Sequence, residues 1–135
     1  MNRLRAERLH SASRPLQLRL QHGRIVSISS DAVDGWPGLG PYATAKAGLH
    51  GLSRTIAKEL SPAGILSNVV MPGFVLTDRN QQRVPDQYKE QVRSMLPTRS
   101  LPTPQDIAAV ILFLGSPVNR QITGEVIRVT GGRHS

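Results

Sequence analysis

Hydrophobic residues follow a helical period in some segments of the chain and form short apolar runs in others. Residues 3–21 have apolar side chains at helical spacing, with a kink expected at Pro15. Residues 42–60 have a clearer stripe, which ends before Ser61 and Pro62. That stripe consists of Leu49, Leu52, Ile56 and Leu60. These two segments are therefore predicted to be long helices.

Three apolar runs, residues 24–29, 64–70 and 125–129, follow or lie between helical segments. Runs of this length, bounded by Gly or Pro, are typical of buried strands. Strands that alternate with helices pair in parallel through right-handed crossovers. The pattern thus predicts an α/β fold, with a parallel sheet of about three strands in a single domain spanning residues 1–135.

Two further segments complete the pattern. Residues 75–98 are mostly polar, which favours a mobile helical flap over a core element. Thr103, Pro104 and Asp106 indicate a helix start, because Thr is a good N-cap, Pro suits the first helical position, and an acidic residue three positions on completes a capping box. That helix is predicted to end at Gly115.

Composition narrows the possible partners. The formal net charge is +8, and six arginines fall within the first 24 residues. No aromatic residues lie between them and no nucleic-acid-binding module matches, so we expect no specific nucleic-acid partner. The chain has no cysteine, and its four histidines share no ligand spacing, so no metal site is expected. No apolar run approaches the ~20 residues of a membrane span. We expect a cytoplasmic protein without membrane contact.

The candidate chemistry lies at the start of the second helix. Tyr42 and Lys46 stand four residues apart and therefore share one helical face, and Ser30 lies twelve residues upstream at the end of a predicted strand. A free phenol titrates near ~10 and transfers protons poorly at neutral pH. A neighbouring ammonium favours the phenolate, which makes proton exchange with an alcohol oxygen feasible. These residues indicate carbonyl–alcohol redox chemistry.

Five motifs occur in order along nearly the whole chain: GRIVSISS, YATAKAGLHGLSRTIAKEL, NVVMPGFVLTD, TPQDIAAVILFL and ITGEVIRVTGG. In these motifs the chain resembles the C-terminal catalytic half of the short-chain dehydrogenase/reductase family, and within it the 3-oxoacyl-(acyl carrier protein) reductase-like members. The resemblance implies a partial Rossmann-type fold. It also implies an NAD(P)-dependent oxidoreductase acting on a ketone or secondary alcohol of the 3-oxoacyl, polyketide or steroid-like kind.

The resemblance assigns four catalytic roles. Tyr42 would be the acid–base residue, Lys46 would assist it and bind the nicotinamide ribose, and Ser30 would polarise the substrate carbonyl. A gap-free match back from Gly23 places Asn2 at the position that holds a relay water. Residues 75–98 would form the substrate lid.

The same resemblance implies a cofactor, NADP or NAD. The residues expected to contact it are Tyr42, Lys46, Pro72, Gly73, Val75 and Thr77.

Two departures from the family pattern leave alternatives open. The interval from the serine to Tyr42 is one residue shorter than usual, so Ser29 competes with Ser30 as the catalytic serine. The N-terminal phosphate-binding half is absent from this sequence, including the Gly-rich turn and the residue that selects NADH or NADPH. Gly38, Gly40 and Ala43 spell a GxGxxA motif, but they follow the strand by ten residues rather than directly, which argues against a phosphate cradle.

We expect a homo-oligomer formed through helices 3–21 and 42–60, because the family uses the corresponding helices for dimerisation. Gly48 and Gly51 would allow close approach there. Two alternatives to an autonomous enzyme remain. The chain could be a truncated, catalytically incompetent remnant, or a non-enzymatic oligomerising subunit.

Overall fold

The computed structural model describes residues 22–133, so the predicted helix at 3–21 and the candidate Asn2 lie outside the described residues. Within residues 22–133 the chain forms three strands and four α-helices. The strands are β1 (Gly23–Ile28), β2 (Ile65–Pro72) and β3 (Val126–Val129). The helices are α1 (Gly40–Leu60), α2 (Asp78–Arg83), α3 (Asp86–Met95) and α4 (Pro104–Gly115).

The sheet is parallel with the order β1-β2-β3, as the alternation of strands and helices predicts. Gly23 aligns with Ile65 and Ile28 with Val70 across the first pair, and Pro72 aligns with Val129 across the second. β2 is central, which explains why Ile65 to Met71 are all buried, including the polar pair Ser67 and Asn68 between apolar residues.

Each face of the sheet packs against a helix. On one face Ile56 and Leu60 of α1 pack against Ile65 and Ile25. On the other face Ile107 and Leu114 of α4 pack against Val70. Neighbouring strand residues point to opposite faces, so Ile25 and Val26 of β1 join different clusters. This is the two-faced covering typical of parallel α/β sheets.

The predicted cap of α4 is confirmed. The Thr103 hydroxyl accepts from the Asp106 backbone N–H, and the Asp106 carboxylate accepts from the Thr103 N–H at 2.7 Å. Thr103 and Asp106 thereby satisfy backbone donors that the first turn of a helix otherwise leaves open.

The prediction that residues 75–98 form a flap without core residues is wrong in part. The segment does form two helices, α2 and α3, but Val92 is 2% exposed and Leu96 is 3% exposed. These two residues anchor α3 to the rest of the chain. The apolar residues of this polar segment looked scattered, but Val92 and Leu96 are four residues apart and therefore lie on the same, buried side of the helix.

Candidate active site

The carboxyl ends of the three parallel strands meet at one edge of the sheet. Ser29 and Ser30 follow β1, Gly73 follows β2, and Thr130 follows β3. The Gly73 N–H donates to the Val129 carbonyl at 3.1 Å, which fixes the ends of β2 and β3 side by side. In open α/β sheets this edge is where ligands bind.

The start of α1 is bound to the end of β1. Lys46 Nζ donates to the Ile28 carbonyl at 2.9 Å and lies 5.7 Å from the centroid of the Tyr42 ring. The Ser29 hydroxyl donates to the Lys46 carbonyl at 3.3 Å. The Tyr42 side chain is exposed. A phenol open to a ligand thus stands beside a fixed ammonium, as the four-residue spacing predicts.

The two candidate serines have different surroundings. Ser29 is 3% exposed, and its hydroxyl lies 2.7 Å from His50 Nε2 on α1. Burial and the nearby Arg54 lower the pKa of His50, so its imidazole is neutral at pH 7. Ser29 therefore joins β1 to α1. Ser30 is partly exposed and accepts a hydrogen bond from Ala32 N–H at 3.1 Å, which leaves its own proton available for a ligand.

The predicted cofactor-contacting residues that follow β2 line the start of the lid segment. Pro72 is the last residue of β2. If Gly73 carried a side chain, its Cβ would lie 3.4 Å from Asp31 Oδ2. Val75 packs against the cluster under α4, while the Thr77 hydroxyl accepts from Asn80 N–H at 3.2 Å and so caps α2. These residues continue from the same edge of the sheet as Ser30 and Lys46.

Residues 75–98 present a mixed surface. Tyr88 packs edge-to-face on Phe74 with ring centroids 5.8 Å apart, and Met95 is exposed. Val92 of the same helix is buried instead. The accessible apolar side chains of α3 are therefore Tyr88 and Met95.

A group of charged residues near the site was missed by the sequence analysis. Arg128 pairs with Asp34 through two contacts of 2.6 and 2.8 Å, and the Arg133 guanidinium lies 4.5 Å from the centroid of the Trp36 ring. Burial raises the pKa of Asp31, against the opposing effect of Arg133. Asp34 and Arg128 are 94 residues apart. Alignment of the ends of β1 and β3 on one sheet edge could have suggested the pairing.

Two further findings on the described residues concern metal ions and membranes. Among residues 22–133 no cluster of three or more His, Cys, Asp or Glu side chains is arranged to hold a metal ion. None of the helices in that range is long and apolar enough to cross a membrane.

Comparison with known proteins agrees with this geometry. Residues 8–134 match the family described as enoyl-(acyl carrier protein) reductase. The chain is 42% identical over 119 residues to the 3-oxoacyl-[acyl-carrier-protein] reductase FabG of Aquifex aeolicus, covering 85% of this chain and 46% of the relative. It is also 42% identical over 113 residues to the (2S)-[(R)-hydroxy(phenyl)methyl]succinyl-CoA dehydrogenase subunit BbsD of Thauera aromatica, covering 84% of this chain and 45% of the relative.

Solved structures agree as well. A crystal structure of a short-chain dehydrogenase/reductase family oxidoreductase from Burkholderia thailandensis superimposes with a TM-score of 0.79 and 35% identity, covering 86% of this chain and 46% of that one. The chain spans about half the length of the curated relatives it matches. With the ordered motifs and the Tyr–Lys geometry already established, these matches show that the chain belongs to the short-chain dehydrogenase/reductase family.

Proposed function

We propose that the chain carries the catalytic half of an NAD(P)-dependent oxidoreductase that interconverts a ketone and a secondary alcohol. The observation that carries the proposal is the Lys46 ammonium, which is held 5.7 Å from the centroid of the exposed Tyr42 ring. Ser30 lies on the same sheet edge with its hydroxyl proton available.

Each residue has a distinct role in this proposal. Tyr42 gives its phenolic proton to the carbonyl oxygen as the alcohol forms, and takes that proton back in the oxidative direction. Lys46 places a positive charge 5.7 Å from the centroid of the Tyr42 ring, where it attracts the negative charge left after the proton has moved. Ser30 donates a hydrogen bond to the carbonyl oxygen and so stabilises the negative charge that develops there.

The residues at this edge fit the nicotinamide end of NADP or NAD. Gly73 presents backbone without a side chain, and Lys46 offers donors to a ribose hydroxyl. When bound, the cofactor supplies or accepts the hydride. Pro72, Val75 and Thr77 would line the same surface, and Asn2 keeps its proposed role in holding a relay water. A phosphate cradle is not found among residues 22–133, where Gly38 and Gly40 belong to the loop and start of α1.

We infer an extended or cyclic apolar ketone as the substrate. The support is the exposed apolar surface of Tyr88 and Met95, beside the Phe74 ring that follows Gly73. Two relatives are named for acyl compounds, one for a 3-oxoacyl-[acyl-carrier-protein] and one for a (2S)-[(R)-hydroxy(phenyl)methyl]succinyl-CoA. The residue that would select NADH or NADPH belongs to the half of the family domain that this sequence does not match.

A second candidate is a non-enzymatic oligomerising subunit or catalytically incompetent remnant. Two observations favour it. β1 has no partner strand on its outer edge among the described residues, and a Cβ on Gly48 or Gly51 would meet nothing within 4 Å. An open helix face and an open sheet edge are both surfaces on which another chain can pack.

Cofactor titration separates the two candidates. NADH and NADPH are added to the purified chain, and nicotinamide fluorescence is followed, together with reduction of a 3-oxoacyl thioester. If the chain is an autonomous enzyme, the fluorescence shifts and turnover occurs. No change at millimolar cofactor supports the non-enzymatic subunit.

The Tyr42→Phe variant tests the mechanism. Removing the phenolic proton is expected to lower kcat by about 10²- to 10⁴-fold, while the aromatic ring expected to contact the cofactor is kept. Thr44→Ala is the control, since Thr44 is exposed on the same helix and, among residues 22–133, its hydroxyl bonds only to the Gly40 carbonyl. Equal turnover in Tyr42→Phe and the wild type would overturn the proposed mechanism.

A further inference from the structure

We propose that Arg128 is a positioning residue for Ser30, acting through its ion pair with Asp34 and the short turn that joins Asp34 to Ser30. The proposal rests on the proposed function of Ser30. It assigns a role to charges at the end of β3 that lie far along the chain from the serine.

The ion pair is built for rigidity. Arg128 NH1 and NH2 contact the two carboxylate oxygens of Asp34 at 2.6 and 2.8 Å, a bidentate arrangement that fixes direction as well as distance. The side chains are only 31% and 16% exposed. Water therefore screens this pair less than it screens the Arg93–Glu90 pair of α3, whose side chains are 48% and 61% exposed.

Asp34 is the last residue of a single 3₁₀ turn, Asp31–Asp34, and Ser30 is its N-cap. The Ser30 hydroxyl oxygen accepts from Ala32 N–H at 3.1 Å, and Gly35 N–H closes the turn on the Ala32 carbonyl at 3.2 Å. Ala32 is 3% exposed. Holding Asp34 therefore holds the hydrogen bond that orients Ser30.

A second contact fastens the far end of the same loop. The Arg133 guanidinium stacks over the Trp36 ring at 4.5 Å, within the range of a cation–π interaction. Arg128 lies in β3 and Arg133 follows that strand, so both arginines fix the loop to the same strand end. The loop after β1 cannot shift relative to β3 without breaking one of the two contacts.

The consequence concerns the direction of one proton. Because a lone pair of Ser30 Oγ is occupied by Ala32 N–H, the hydroxyl proton is left to point away from the turn. Loss of the Arg128–Asp34 pair would free the turn to fray, and the Ser30 hydroxyl would then sample orientations that do not reach a carbonyl oxygen. Positioning of this kind contributes to rate rather than to ground-state binding.

The test measures hydrogen exchange at the Ala32 amide by NMR in the full chain, for the wild type, Arg128→Gln, Asp34→Asn and the charge-swapped double variant Asp34→Arg/Arg128→Asp. Exchange at Ala32 should accelerate by about 10- to 100-fold in the single variants, since a hydrogen bond to a charged group is lost. The swapped pair should recover part of the protection. Glu90→Gln, which removes the bidentate pair with Arg93 on α3, should leave Ala32 unchanged.

Unchanged exchange at Ala32 in both single variants would overturn the proposal. The same holds if exchange accelerates equally at Val69 and Val70 in the core, because the pair would then support the fold as a whole. Turnover gives the second measurement. In Arg128→Gln, kcat should fall while the cofactor Kd stays constant. If kcat and Kd are both unchanged, the proposal is also overturned. If the wild type shows no turnover, the proposed function fails, and the Ala32 amide still decides whether Arg128 orients Ser30.

Discussion

At the scale of single residues, Asp31 is a group near the site whose burial disfavours its charged form. Its carboxylate is partly buried beside Gly73 and Thr130, and burial raises its pKa above 3.8 although Arg133 and Arg128 oppose the shift. A carboxyl group whose folded-state pKa is raised destabilises the fold above its unfolded pKa, because the unfolded chain ionises more readily. Residues kept at such a cost are frequently functional.

Replacing Asp31 by Asn should therefore stabilise the chain at pH 7. The gain in thermal midpoint should shrink as the pH falls through the folded-state pKa and should vanish only below 3.8, where the carboxyl group is protonated in both states. Thermal unfolding followed by circular dichroism from pH 7 to below pH 3.8 measures this.

Asp106→Asn is the matched control with the opposite sign. Hydrogen bonds from the backbone and side chain of Thr103 lower the pKa of Asp106. This variant should lose stability at pH 7, and the loss should disappear as the pH falls. Asp31→Asn that destabilises the chain at pH 7 would show that the attraction of the arginines outweighs burial.

At the scale of elements, the turn after β3 holds the C-terminal end of the segment formed by residues 75–98. Thr98 N–H donates to the Gly131 carbonyl at 3.1 Å, and Gly131 has φ +66°. A Cβ there would lie 2.7 Å from Thr98 Oγ1 and 3.1 Å from Leu96 Cδ1. Glycine at this position thus permits both the left-handed backbone and the close approach of residues 96–98.

Gly131→Ala is expected to lower the free energy of unfolding by about 2–4 kcal/mol, from backbone strain of about 1–2 kcal/mol plus the contact with Thr98. Gly38→Ala separates the two causes, because Gly38 has φ +81° but nothing within 4 Å of its Cβ position. That control should lose the strain component alone. Urea unfolding measures the free energy of unfolding of both variants. If the two variants lose the same amount, a small shift relieves the close approach to Thr98.

The same elements show what a sequence can and cannot predict. α1 and α4 follow from an apolar stripe and a capping box, which are local signals, and the three strands follow from apolar runs bounded by glycine and proline. The buried positions of α3 were not recognised. Two apolar residues among charged ones do not show which side of a helix is buried until the bounds of the helix are known. The Asp34–Arg128 pair was missed because it depends on sheet register, not on spacing along the chain.

The site follows the same division. The Tyr42–Lys46 spacing predicts their proximity, and the structure places the Lys46 ammonium beside the ring. The choice between Ser29 and Ser30 cannot be made from a one-residue difference in loop length. Their surroundings differ at the strand end: Ser29 is buried and contacts His50 and Lys46, whereas Ser30 is partly exposed.

At the scale of the whole molecule, the described part of the chain has surfaces that it does not cover itself. β2 is enclosed by strands on both sides, whereas β1 and β3 are edges of the sheet formed by residues 22–133. On α1, Gly48 and Gly51 leave a shallow, open face next to exposed residues. We expect this face to pair with a second copy of the chain, together with the predicted helix at residues 3–21.

Gly48→Gln tests that pairing through two effects of opposite sign. Within one chain the change should raise the free energy of unfolding by about 0.5 kcal/mol, because glycine is a poor helix former and nothing obstructs a side chain there. Between chains it should weaken association by about ten-fold or more, since the added side chain prevents close approach of two helices. Sedimentation equilibrium measures the association, and urea unfolding at high dilution measures the stability of the separate chain.

Gly115→Gln at the end of α4, also open, is the control. If only that control weakens association, the interface lies on α4, near the exposed Leu112 and Val118, rather than on α1.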